Sequence, residues 1–256
     1  MLRICKVIGL ALLAAAASGC ATYTTPGGGV RLDDLPAADF PAATRAAGEE
    51  PDFVELVKAE PAASFPARIA IVRIQAPGYS SRTNSCYGEG RYCVVTTRDI
   101  ESDASYEQLS KLPSMAGLAV MNRFVLPRKF TTSGDLRRAA AALRTDMLLL
   151  YTLDTGFKVE NSEVSPLTVI SLGLLPTRKA NIAATASAVM LDVRTGFIYG
   201  LAEATAIEEQ RANVWSTADA IDSARKKAES VAFEKLVGEI AKFWDDVVRT
   251  HRRGNG

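Results

Sequence analysis

Apolar positions follow three rhythms along this chain. Runs that are apolar on successive positions occur at 68–74 and 147–153, rich in Ile, Val and Leu. A strand buried on both faces reads this way. Residues 118–126 predict a further strand. Between these runs, 105–112, closed by Pro113, predicts a short helix, and Ser133-Gly134-Asp135 can cap another over 136–144. Strand, helix, strand in that order predicts a crossover unit packed on a sheet. The second rhythm is alternation. Residues 182–193 and 197–209 flank Arg194-Thr195-Gly196, a three-residue loop ending in glycine, which predicts a hairpin with a bulge. Pairing Val193 with Phe197 places Ala184 opposite Ala206, Ala186 opposite Ala204, Ala188 opposite Ala202 and Met190 opposite Gly200. The other face then carries Val189 opposite Leu201 and Leu191 opposite Tyr199. Slipping by one residue would scatter this ladder of small side chains over both faces, and the ladder allows a helix to approach closely. The third rhythm is a stripe at spacings of three and four: Ile221, Ala224, Ala228, Val231, Leu236, Ile240, Phe243, Trp244, Val247. It predicts a long helix capped by Ser216 or Thr217, with Asp219 in its first turn. Lys and Glu mix on the opposite face, which favours core packing over a membrane surface. The expected fold class is α/β (α+β): a single domain over 67–250 with a mixed sheet, helices packed on it and a long C-terminal helix. A disordered tether precedes it, and a polar tail, 251–256, closes the chain.

The tether, 21–66, contains Pro26-Gly27-Gly28-Gly29 and then repeated Ala and Pro, with one short helix expected over 51–59 through Phe53, Leu56 and Val57. A coil of about 45 residues reaches roughly 35–40 Å, enough to hold a domain clear of a surface. Before it come Arg3, Lys6 and an apolar run over 7–17, too short to span a bilayer, which takes about 20 residues. The run ends in Ala17-Ser18-Gly19-Cys20. This tetrad resembles a bacterial lipobox, with Ala17 at a position more often leucine. The resemblance implies removal of a signal peptide, 1–19, and lipidation of Cys20 with diacylglycerol and palmitate. Several acyl chains anchor a protein durably. Ala21 in place of aspartate implies, by similarity to enterobacterial sorting rules, the periplasmic face of the outer membrane.

Charge changes the picture only by exclusion. Thirty basic residues balance 29 acidic ones, so no overall field draws nucleic acid. With Cys5 in the signal and Cys20 acylated, Cys86 and Cys93 remain. In an oxidising compartment they are expected to form a disulfide closing a hairpin with Glu89-Gly90 at its tip, worth about 2.5 kcal/mol on a chain-entropy view. A metal site would need further ligands, and the spacing is not that of a redox C-x-x-C. His251 is the single histidine and lies in the tail, which argues against a Ser-His-Asp, Cys-His or histidine-rich metal centre. No phosphate-binding or dinucleotide glycine motif is present. Leu153-Asp154-Thr155-Gly156 is similar to the Asp-Thr-Gly of aspartic proteases, yet that chemistry needs two carboxylates, and Arg194-Thr195-Gly196 supplies no second acid. The expectation is no catalytic residue, no metal and no cofactor.

Two surfaces are expected to meet a partner. One is the apolar, weakly charged stretch 165–176 with Leu167, Ile170, Leu172 and Leu174, whose alternatives are a membrane contact or a loop folded over the core. The other is the disulfide hairpin with Tyr87, Arg91 and Tyr92. The order of lipobox, tether, first strand, the passage ending Met147-Leu148-Leu149-Leu150-Tyr151, the hairpin motif Leu191-Asp192-Val193-Arg194-Thr195-Gly196 and a final long helix resembles periplasmic lipoproteins with an α/β domain like that of the curli-secretion channel lipoprotein and the TolB amino-terminal domain. The resemblance covers 68–249. It implies assembly platforms, envelope regulators and oligomeric secretion parts rather than enzymes. Residues 160–181 are too few for two membrane-spanning strands of about ten residues each with their turns. The expected function is therefore a non-enzymatic envelope lipoprotein that binds or assembles another envelope protein, with a homo-oligomer as a further arrangement. The alternatives are a peptidoglycan-synthase activator or cell-wall binder, and a hydrolase using Asp154.

Overall fold

The computed structural model describes residues 22–31, 58–159, 162–164, 169–171, 180–210 and 218–252. The two runs of continuous apolar residues become adjacent parallel strands. β2 (Ala67–Gln75) and β7 (Met147–Val159) pair from Ile69 opposite Met147 to Arg73 opposite Tyr151. Around β2 lie β4 (Cys93–Val95), antiparallel, and β5 (Met115–Val120), parallel. On the other side, β7 pairs with β10 (Ala180–Asp192) and β10 with β11 (Ile198–Gln210), both antiparallel. The short β8 (Ser162–Val164) folds back on β7. The sheet is mixed, with the path β11-β10-β7-β2-β4. Parallel neighbours require crossovers. α1 (Asp103–Ser110) precedes β5, and α2 (Ser133–Ala142) leads into β7.

Alternation along the strands sends side chains to two cores. Leu149, Leu153, Ala184, Ala186 and Ala188 face α3 (Ala218–His251), which contributes Ala224, Ala228, Leu236, Ile240 and Trp244. Leu148, Leu150, Val189 and Leu191 face α2 and pack with Leu136, Ala140, Tyr92 and Phe130. The alanine ladder is in the expected register from Ala184–Ala206 through Met190–Gly200, and it lies under α3. The approach there is close, since a Cβ on Gly200 would lie 2.8 Å from the Phe243 ring.

Several local expectations change. Leu191 lies opposite Ile198, not Tyr199, because a bulge falls between Met190 and Leu191. The cause is Asp192, which is fully buried. Its carboxylate accepts from the Arg194 and Thr195 amides at 2.8 and 3.0 Å and from the Tyr199 hydroxyl at 2.8 Å, so the loop tightens around it. The strand expected over 118–126 stops at Val120, where Asn122 turns the chain by accepting from the Phe124 amide at 3.0 Å. His251 is the last residue of α3 rather than part of a tail, and its ring meets Phe197 and Tyr199 edge-on. α2 begins at Ser133, earlier than expected, with Asp135 accepting from the Thr131 and Thr132 amides at 2.7 and 3.0 Å. Burial opposes ionisation of Asp135, but these amides, with Thr131 and Arg138, outweigh it and hold the carboxyl below its ordinary range. The expected Ser216 or Thr217 cap lies outside the described residues.

Two stretches of the expected tether are docked on the domain. Residues 58–66 run along the hairpin loop, where the Ala62 amide donates to Asp192 at 2.7 Å and Phe65 packs on Trp244. The strand β1 (Thr22–Thr24) pairs antiparallel with β9 (Val169–Ser171), and Tyr23 is buried. Residues 32–57, and with them most of the helix expected over 51–59, lie outside the described residues.

Candidate functional site

The first half of α3 carries Asp222, Arg225 and Glu229 at spacings of three and four. Such spacing puts all three on one helix face. That face is the buried one: the Arg225 side chain is 0% exposed and that of Glu229 is 1%. Arg225 donates to Asp222 at 3.0 Å and to Glu229 at 2.5 Å. Across from them, β2 presents Arg73, itself 1% exposed, within 3.7 Å of Glu229, 3.6 Å of Glu101 and 3.4 Å of Asp99. Hydroxyls complete the network. Thr155 donates to Glu229 at 2.8 Å, Tyr151 to Glu101 at 2.7 Å, and Arg73 donates to the Tyr79 hydroxyl at 2.8 Å. Two arginines are thus interleaved with four carboxylates beneath a helix.

Desolvating an ion costs several kcal/mol, and only close, hydrogen-bonded counter-charges offset it. Burial works against the charged form of both arginines. For Arg73 the surrounding Tyr79, Glu229 and Glu101 outweigh it, and for Arg225 chiefly Glu229, so both are held above the ordinary arginine range. Burial also raises Tyr23, Tyr79 and Tyr151, and pushes Tyr106 up to about 12. Near neutral pH these hydroxyls are proton donors and the guanidiniums are cations. The arrangement therefore acts as a clamp between α3, β2 and β7.

The clamp also grips the amino-terminal segment. The Tyr23 hydroxyl donates to Asp222 at 3.3 Å, and its ring meets Phe157 edge-on. The chain then crosses beyond the point where β2 and β7 part. Ala76 donates to the Gly28 carbonyl at 3.2 Å, the Val30 amide donates to Thr152 at 3.0 Å, and Val30 joins the core on the α2 side. Gln75 fills the gap between the strands by bonding Thr152 and both backbone groups of Leu153.

A second feature lies on the outer part of the sheet face opposite α3. Here β10 and β11 present Thr185 bonded to Thr205 and Ser187 bonded to Glu203. Leu201 and Ile207 stand among these polar groups at 66% and 63% exposure. Leu201 divides two depressions. One, of about 120 Å³, is lined by Val30, Ile74, Leu150 and Val189. The other, of about 340 Å³, runs between β11 and α3 and is lined by Glu203, Glu239, Lys242, Phe243 and Asp246. Among the described residues no strand pairs with the outer edge of β11. Lys235 covers one position of that edge by donating to the Thr205 carbonyl at 3.1 Å.

The residues singled out from sequence are distributed unevenly. Cys86 and Cys93 form the disulfide, with Cα atoms 5.5 Å apart. Glu89-Gly90 is not a projecting tip: it forms β3 (Glu89–Gly90), laid parallel on β6 (Lys129–Phe130). Tyr92 is not a contact residue. It is fully buried, packs on Phe130 and donates to the Thr132 carbonyl at 2.6 Å. Tyr87 is half-buried under Arg123, and Arg91 is exposed. Ile170 lies opposite Tyr23 in the β1–β9 pair. Cys20, Leu167, Leu172 and Leu174 lie outside the described residues. Asp154 is exposed on the face opposite α3. Sequence reasoning missed Arg73, Glu101, Asp222, Arg225 and Glu229. The available signal was an arginine inside an apolar strand and a charged triplet in line with Ile221, Ala224 and Ala228. Phe124, 96% exposed beside the hairpin, was also missed. Among the described residues no helix is long and apolar enough to cross a membrane.

No family model matches the chain, and no curated protein matches it. Among solved structures it is similar to a protein from Xanthomonas campestris assigned to the DUF330 family model, at 12% identity and a TM-score of 0.36, over 75% of this chain and 92% of that one. It is also similar to a hypothetical protein from Chlamydia trachomatis, at 11% identity and a TM-score of 0.28, over 71% and 98%. A lipoprotein from Neisseria meningitidis matches at 15% identity and a TM-score of 0.24, over 57% and 85%.

Proposed function

We propose that the chain is a lipid-anchored, non-enzymatic protein of the outer-membrane periplasmic face that binds another envelope protein along β11. The anchor reading rests on Ala17-Ser18-Gly19-Cys20 and the apolar run before it. The observation that carries the binding reading is Leu201, an exposed leucine on an edge strand with a hollow on each side. Edge strands offer unpaired backbone groups to an incoming strand, and alternate side-chain pockets supply selectivity. The partner that fits is an extended segment with one apolar side chain for the notch beside Val30 and basic residues to meet Glu203, Glu239 and Asp246. It would displace Lys235 from the Thr205 carbonyl. A second copy of this chain is one such partner.

The test is a photo-reactive amino acid at Leu201, with the exposed Asp245 as control, in intact cells. An adduct of defined mass is expected from position 201 alone, and Thr205→Pro should remove it. The Thr205 carbonyl faces outward, so its amide does too, and proline there costs no ladder bond. Equal adducts from both positions, or none from 201, would sink the reading.

A further inference from the structure

We infer that the amino-terminal segment is a short, fixed mooring that holds the β1–β9 end of the domain against the lipid bilayer, with the long axis of α3 leading away from it. The inference rests on the lipid-anchor reading of Cys20. Its own content is the orientation, which that reading leaves open.

Only Ala21 separates Cys20 from Thr22, the first residue of β1. Two residues of chain span about 7 Å at most. The lipid-bearing atom is thus tied closely to β1, and β1 is held firmly. Tyr23 is 3% exposed, hydrogen-bonded to Asp222 and packed on Phe157. Residues 25, 26 and 27 are buried, and backbone bonds at Gly28 and Val30 fix the chain beyond them. The contacts are spread over α3, two points of β7 and the residue after β2, so fraying at one point does not release the rest. A tether of about 45 residues would let the domain tumble at tens of ångströms. A mooring of two residues does not.

The position of β1 names the end that meets the bilayer. β1 pairs with β9, which lies in the apolar, uncharged stretch 165–176. β7 reaches the same end with Phe157, and α3 begins there with Asp222. The opposite end carries the hairpin loop, His251 and Arg252, the latter donating to Ser114. The partner of the β1–β9 end is therefore the bilayer surface itself. The edge of β11 runs along the side of the molecule, open to the periplasm.

The experiment uses the full lipidated chain, purified in detergent and reconstituted into phosphatidylethanolamine–phosphatidylglycerol vesicles containing a lipid with a nitroxide headgroup. Single cysteines carrying a fluorophore are placed at Lys158→Cys, beside Phe157, and at Thr250→Cys, in the last turn of α3; both positions are exposed. The label at 158 is expected to lose most of its emission and the label at 250 to keep it. Inserting twenty Gly and Ser residues between Ala21 and Thr22 should restore emission at 158. Equal quenching at both positions, stronger quenching at 250, or no response to the insertion would overturn the inference. Intact-mass analysis of the same samples separates the two readings. An unmodified Cys20 removes both, whereas an acylated Cys20 with uniform quenching removes the orientation alone.

Discussion

The two halves of α3 share one apolar stripe and differ in the polar groups buried beside it. From Leu236 onward the helix offers Leu236, Val237, Ile240, Trp244 and Val247 to the alanine ladder, and the single buried polar group of Trp244 donates to the Pro113 carbonyl at 2.7 Å. Before that point, beside Ile221, Ala224, Ala228 and Phe233, it offers Asp222, Arg225 and Glu229 to Arg73, Thr155 and Tyr23. Apolar packing supplies stability without demanding one partner. Buried ion networks contribute little net stability, because desolvation cancels most of the attraction, but they penalise any misplaced partner severely. The comparison assigns different work to the halves: the apolar half holds the helix on the sheet, and the ionic half sets what else is docked there.

The largest expected effect breaks the ionic half from within. Arg225→Met takes from the buried Asp222 and Glu229 the guanidinium that bridges them, leaving only the longer contacts to Lys226 and Arg73, and should cost about 3–5 kcal/mol in urea unfolding. Leu236→Ala, in the apolar half, should cost about 2–5 kcal/mol through lost burial and a cavity, with no dependence on salt. Asp135→Ala, a cap away from α3, should cost about 1 kcal/mol at neutral pH. Because the folded carboxyl is held below its ordinary range, its contribution is present above the unfolded pKa, about 3.9, and fades as pH falls further. The gap between Asp135→Ala and wild type should therefore narrow below about pH 4. Tyr23→Phe should cost about 0.5–1 kcal/mol globally, while hydrogen exchange at 25–30 accelerates. The smallest change is the sharpest: making Asp222, Arg225 and Glu229 all apolar should leave stability within about 1 kcal/mol of wild type. The same exchange measurement should then show the amino-terminal segment loosened. A large loss of stability in that triple variant would show the two halves to be alike.

Much of the scaffold was readable because it is local or strictly periodic. The register of the alanine ladder comes from a two-residue repeat and one glycine-closed loop. The ionic half was only faintly marked, by a charged triplet in line with Ile221, Ala224 and Ala228, since charges at helical spacing occur on solvated faces as well as on buried ones. What decides between them is Arg73, far away in the chain. Tyr92 failed for the same reason, as its partner Phe130 is brought in by a separate segment. The docked residues 22–31 show a subtler limit. Their glycines read as flexibility, yet a Cβ on Gly27 would lie 3.3 Å from the Tyr79 backbone, and one on Gly29 3.2 Å from Thr152. Glycine is there for fit, and composition alone does not distinguish the two uses.

From Asp222 to His251, α3 rises without interruption for about 45 Å, at roughly 1.5 Å per residue. With one tip moored as proposed, it would act as a strut of set height, with the hairpin loop and its buried Asp192 at the top. Anything seated there would then stand at a distance from the lipid counted in helical turns, and removing two of those turns would lower it by about 11 Å.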